Sequence, residues 1–189
     1  MFTPLSRIHC NLLRTLLVVI LVGFSSSCNL FPDDDDDFVE TRFDAQVSGD
    51  VSQTLRSNSA DFILLEDSEY EGKILEIILG NNERVYFTGL LTDEPDESQY
   101  QITSYIEDEE GRPDLEGIPT GQLMSALFAP STGHPELEDF YSTDGELNIN
   151  TVDNQKMEAD FEFNAEAHGD DTTNVSISGG FRAIRSEVD

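Results

Sequence analysis

Apolar and polar residues alternate one by one along much of this chain. Met157, Ala159, Phe161, Phe163 and Ala165 take every second position, with Glu158, Asp160, Glu162, Asn164 and Glu166 between them. Successive side chains of a strand point to opposite faces, so this run predicts a half-buried antiparallel strand with one apolar and one acidic face. Val175, Ile177, Gly179, Phe181 and Ala183 alternate against Ser176, Ser178, Gly180 and Arg182. Leu147, Ile149 and Thr151 do the same against Glu146, Asn148 and Asn150. Between the runs, Asp144-Gly145 reads as a tight hairpin turn, Val152-Asp153-Asn154 as a polar break and His168-Gly169-Asp170-Asp171 as a loop. The segment from Asp139 to Ile184 is thus expected to be a meander of about four strands.

Upstream, Val39, Thr41, Phe43, Ala45 and Val47 alternate until Gly49-Asp50, and the spans 60–65, 73–79, 84–91 and 100–106 each read as strands. Asn81-Asn82 supplies a hairpin turn between the spans 73–79 and 84–91. Residues 107–121, with Gly111, Pro113, Gly117 and Pro119, read as a long loop, and 130–135 as another break. The span 122–128 fits a strand or a helical turn. No convincing amphipathic helix appears. The expected fold is all-β, an antiparallel β-sandwich of roughly 9–10 short strands, with a closed β-barrel as the alternative.

The amino terminus breaks this pattern. Met1 to Arg14 carries Arg7 and Arg14 and no acid, residues 16–24 are uninterrupted apolar, and Ser25-Ser26-Ser27 are small. Basic, apolar and small zones in that order form an export signal, and the apolar run is about half the roughly 20 residues that span a bilayer. Three regions follow: a signal peptide over 1–27, a cysteine and acidic tether over 28–37, and a single all-β domain over 38–189. The tether holds Pro32 and five aspartates, Asp33 to Asp37, a like-charge block that repels itself and stays extended.

Of the two cysteines, Cys10 lies within the signal and Cys28 at its end, so the processed chain would hold no disulfide of its own. With Cys28 directly behind Ser26-Ser27, the amino terminus resembles a bacterial lipoprotein precursor. That resemblance implies a thioether from Cys28 to diacylglycerol and acylation, such as palmitate, of the freed amine. Ser25 stands where the family usually carries an aliphatic residue, and ordinary secretion with Cys28 as a free thiol is the competing reading. No histidine lies near Cys28 in sequence to activate it as a nucleophile. The acidic stretch behind the cysteine also resembles the surface-export signals of Bacteroidota-type lipoproteins, which implies an outer-membrane, outward-facing location; a plain spacer needs only the same charge and flexibility.

Charge narrows the partners. All 39 acidic residues follow Cys28, where only eight basic ones remain, a formal −31 against −29 for the whole sequence. Such a surface excludes nucleic acid and opposes adhesion of the domain to anionic lipid. Lys73 and Lys156 are the only lysines. Adaptation to high salt and binding of divalent cations both suit this composition, and a simply solvated acidic surface needs neither. No segment has the spacing of a calcium-binding loop. Acidic loops at Glu66-Asp67-Ser68-Glu69, Asp93-Glu94-Pro95-Asp96-Glu97 and Glu107-Asp108-Glu109-Glu110 could bind Ca²⁺ if they converged, and read otherwise as solvated turns.

Phe43-Asp44-Ala45-Gln46-Val47-Ser48-Gly49, Gly145-Glu146-Leu147-Asn148-Ile149, Phe161-Glu162-Phe163-Asn164-Ala165 and Val175-Ser176-Ile177-Ser178-Gly179-Gly180-Phe181 follow one another in that order. In this they resemble a family of small, β-rich Bacteroidota lipoproteins of unknown function, which implies a fold and a location and no activity. Ala159 stands where that family often has glycine.

Catalytic motifs are missing from the sequence: there is no G-x-S-x-G, H-E-x-x-H or G-x-x-x-x-G-K. His134 and His168 lie in loops with no partner at metal spacing, so neither catalytic nor metal-ligating residues are assigned and no cofactor is implied. Tyr86, Tyr100 and Tyr105 could line a glycan-binding face, although strand aromatics are more usually core. The expected function is a non-catalytic, lipid-anchored envelope protein with an interaction domain for an unknown protein or glycan. The alternative is a small-ligand carrier with a lipocalin-like cavity, and a carboxylate-based hydrolase ranks last.

Overall fold

A computed structural model describes residues 40–67, 72–104, 121, 123–130, 139–168 and 170–187, with the side chains of 67 and 170–172 left aside. The export signal, Cys28, the aspartate tether, His134, Tyr105 and the loop at 107–120 lie outside the described residues. Ten strands run in chain order: β1 Arg42–Gly49, β2 Gln53–Ser57, β3 Ala60–Asp67, β4 Gly72–Leu79, β5 Arg84–Leu91, β6 Gln99–Thr103, β7 Leu123–Ala129, β8 Phe140–Val152, β9 Lys156–Ala167 and β10 Asp170–Arg185. The described residues contain no helix, so the part of the span 122–128 that is described, from Leu123 onward, is strand.

All ten strands belong to one hydrogen-bonded sheet. Neighbours pair antiparallel along β3–β4–β5–β7 and along β8–β9–β10. β7 joins β8 through Leu127 and Phe128, and β10 joins β3 in parallel through Ile184 and Arg185, so the pairings run round in a ring. β6 wedges between β7 and β8, parallel to the first and antiparallel to the second. β1 lies against residues 175–182 of β10, and β2 against the far edge of β1.

Alternation decides what faces the middle. Phe43 and Val47 of β1, Leu75, Ile77 and Leu79 of β4, Phe161 and Phe163 of β9, and Ile177 and Phe181 of β10 are all buried in one cluster. Phe87 of β5 reaches across it, its ring 5.1 Å from Phe161 and 5.8 Å from Phe163, both edge-on. β5 pairs with neither β9 nor β10, so these contacts span the ring's interior. Burying a phenylalanine stabilises by roughly 1.5–3 kcal/mol, and the edge-on pairs add to that. Seven phenylalanines are among the largest fully buried side chains.

Two expectations are corrected. Asp144-Gly145 is no hairpin turn: both residues lie inside β8, and 139–185 holds three long strands where about four were expected. The register against β9 slips between Ser142 and Asp144, leaving Thr143 as the extra residue of a bulge. The slip reverses which positions face inward. Phe140 and Ser142 are buried before it, Leu147 and Ile149 after it, a change from even to odd numbers. A second slip, between Ile149 and Thr151, returns the partly buried Val152 to the core side. The second correction is β2, which alternation missed because it contains one apolar residue, Leu55.

The breaks expected at Asn81-Asn82 and Val152-Asp153-Asn154 separate strands as read, and most of those at 107–121 and 130–135 lie outside the described residues. At 153–155 the Asp153 carboxylate accepts from the N–H groups of Gln155 and Lys156 at 2.8 and 2.9 Å, making the β8–β9 turn. These two bonds hold its pKa below the ordinary aspartate value. β10 begins at Asp170, within the expected loop, and its register against β9 slips between Asp170 and Asn174.

Where β8 changes partner from β7 to β6, a buried hydroxyl closes the gap. Ser142 Oγ donates to the Thr103 carbonyl at 2.7 Å and accepts from the Ala126 N–H at 3.0 Å. Ser142→Ala would leave both backbone groups without this partner in a buried place. We expect it to cost about 1–3 kcal/mol in urea denaturation.

Candidate functional site

The outer surface of the ring has two characters. On β8 and β9 it carries Glu146, Asn148, Glu158, Asp160, Glu162, Asn164 and Glu166. Amides stand among these acids: Asn150 donates to Asp160 at 2.8 Å, Asn164 to Asp144 at 3.0 Å and Asn148 to Glu146 at 3.1 Å. Arg182 of β10 lies 3.3 Å from Glu158. Glu146 and Glu162 face each other directly across the strands. Like charges so placed destabilise slightly, and Gln99 donates to Glu146 from the other side. This face is a negative field softened by neutral donors.

On β3, β4, β5 and β7 the outward positions are largely apolar. Ile63, Leu65, Ile78, Tyr86 and Leu127 are each partly exposed. Glu76, Ile78, Tyr86, Thr88 and Leu127 line an open depression of about 270 Å³. The Arg84 guanidinium donates to the Tyr86 hydroxyl at 2.9 Å, fixing one end of this patch. A sequence signal for it exists: Ile74-Leu75, Ile77-Ile78 and Tyr86-Phe87 break alternation by placing apolar residues on both faces.

The expected site residues divide. Tyr86 is on the outer surface, whereas Tyr100 is buried in the core, so the two share no glycan face. The Tyr100 hydroxyl donates to Asp96 at 2.9 Å and accepts from the Asp96 N–H at 3.2 Å. Ser98, then Tyr100, hold the Asp96 carboxyl below its usual range, while burial pushes the Tyr100 hydroxyl up. Glu94 reaches Lys73, and Arg185 at 4.0 Å. The carboxylates of Asp96 and Glu94 thus fasten the loop after β5 to the rest of the domain. Among the described residues no three His, Cys, Asp or Glu side chains gather as metal ligands. His168 is exposed, its ring 4.8 Å from that of Tyr141.

A second depression lies at the seam of β3 and β10. It is open, about 880 Å³, and bordered by Leu64, Leu65, Gln155, Ile184, Arg185 and Glu187 among others. Ile184, at 43% exposure, is the one large apolar side chain counted as exposed among the described residues.

No family model, no curated protein and no solved structure matches the chain.

Proposed function

We propose that the protein is a non-catalytic, lipid-anchored envelope protein whose all-β domain is displayed at the outer membrane to meet a partner. The observation that carries this reading is the two-sided outer surface: acids and amides on β8 and β9, partly exposed apolar residues on β3, β4, β5 and β7. Isolated apolar side chains on a surface need no explanation, but a group on adjacent strands marks a contact surface. The packed interior supports display over carriage, because Phe87, Phe161, Phe163 and Phe181 occupy the centre that a carried ligand would need.

Cys28 supplies the handle. Two or three acyl chains hold a protein stably to a bilayer where a single chain does not. The aspartates from Asp33 to Asp37 then hold the domain off a negatively charged surface by repulsion. Cys28→Ala is expected to move the protein from the membrane fraction to the soluble one and to end incorporation of labelled fatty acid. A wild-type protein that takes up no label, or a Cys28→Ala protein that stays with membranes, defeats the anchor.

A further inference from the structure

We infer that the edge of β3 beyond the end of β10 is a docking site for an extended, lysine- or arginine-bearing segment of another protein, added there as a further strand. This rests on the reading of the domain as an interaction module and gives it a place and a partner chemistry.

On one edge β3 pairs with β4 along its whole length, from Ala60 to Asp67. On the other, among the described residues, only Asp61 and Phe62 are paired, with Ile184 and Arg185. One more bond runs from the Ser186 N–H to the Phe62 carbonyl at 2.9 Å, the last between the described residues of the two segments. Backbone groups of a strand turn to alternate edges, residue by residue. Since the Phe62 carbonyl faces β10, the N–H and C=O groups of Leu64 and Glu66 point the same way. No described residue pairs with them there. A row of free donors and acceptors on an open strand edge is the template for strand addition.

Side chains beside this edge suit an incoming strand. The depression of about 880 Å³ runs along it. Leu65 borders it on the outward face, and Ile184 stands exposed at its end. An added strand would lay every second side chain against Leu65 and Ile184, within a border otherwise made largely of polar residues such as Glu66, Gln155 and Glu187.

Charge selects the partner. Lys73 and Arg185 are both drawn to Glu94. Glu66, whose side chain is 86% exposed with Lys73 no nearer than 3.9 Å, and the exposed Glu187 are left at the mouth. A formal charge of −29 repels a second copy of the chain and attracts a basic segment.

The test uses the full-length protein in detergent and a fluorescent peptide of alternating lysine and valine. Binding is read by anisotropy at low and moderate salt, and amide hydrogen exchange locates it. The expected result is slowed exchange at Leu64 and Glu66, with binding weakened roughly tenfold or more when alternate peptide nitrogens are methylated. The same loss is expected for the surface variants Ile184→Asp and Glu66→Lys/Glu187→Lys. Equal binding of plain and methylated peptides would mean mere attraction to the acidic surface and overturns the proposal. So does no binding, or protection elsewhere than β3. None of these outcomes touches the anchored-display reading, which stands or falls on Cys28.

Discussion

Gly145→Ala is expected to lower the stability of the domain by about 2–4 kcal/mol, although it adds a single methyl group. A Cβ at this position would lie 2.4 Å from the Glu162 carbonyl oxygen and 2.5 Å from Phe163 Cβ. Those atoms belong to β9, which is paired on both edges and has nowhere to move. The residue's φ of +155° adds strain that a side chain would not tolerate well. Gly121→Ala provides the comparison. Its φ is +138°, but a Cβ there meets nothing within 4 Å, so that variant bears the backbone strain without the collision. Urea denaturation of the two should show Gly145→Ala clearly the less stable at unchanged m-value. Equal losses would mean that β9 does not press on the bulge as described.

Phe87→Ala should cost about 3–5 kcal/mol, through lost burial and the cavity left behind. Phe87 is fully buried and meets Phe161, Phe163 and Phe181 on the opposite side of the ring. No single neighbour can fill its place without abandoning the others. Phe87→Leu, which keeps most of the volume, should lose much less. Chemical denaturation of both variants tests the claim. A loss below about 1 kcal/mol for Phe87→Ala would show a loosely filled interior, and that result would favour the ligand-carrier reading over display.

Much of this architecture is legible in the chain because period two survives wherever one face is buried and the other wet. β9 is the clearest case: Met157, Ala159, Phe161, Phe163 and Ala165 are buried, and of the outward-facing Glu158, Asp160, Glu162, Asn164 and Glu166 all but Glu158 are exposed. Local rules fail where two strands meet a third. Asp144-Gly145 has the composition of a hairpin turn, but β6 and β9 flank it, and close backbone approach explains the glycine better than chain reversal. The parity change from Phe140 and Ser142 to Leu147 and Ile149 was present in the sequence and signals a bulge, not a turn. Ser142 reads as a polar strand residue; its burial depends on β8 changing partners, which no local pattern records. β2 is stabilised by one leucine and by its pairing with β1, so its existence depends on β1 already being in place.

Sites were less legible than strands. Tyr86 and Tyr100 look alike in the sequence, yet one is on the outer surface and the other anchors a loop from within the core. The acid-rich loops read as solvated turns or, if converging, as cation sites, and no local pattern shows that Glu94 and Asp96 pin the chain after β5. The open edge of β3 is invisible to any local reading, because it exists only through where β10 stops.

That last strand has a bearing on when the domain can form. β10 pairs with β1, β3 and β9, and two of these, β1 and β3, lie more than a hundred residues before it and wait for this one segment. Until it arrives, β1 and β2 are an isolated hairpin, which is marginal in water, and the ring lacks its closing member. Contacts between such distant segments slow folding and postpone cooperativity. A nascent chain would therefore stay pliable until its final strand emerges, and would then set in one step. On the proposed reading of an exported, displayed domain, late setting is an advantage written into the order of its strands.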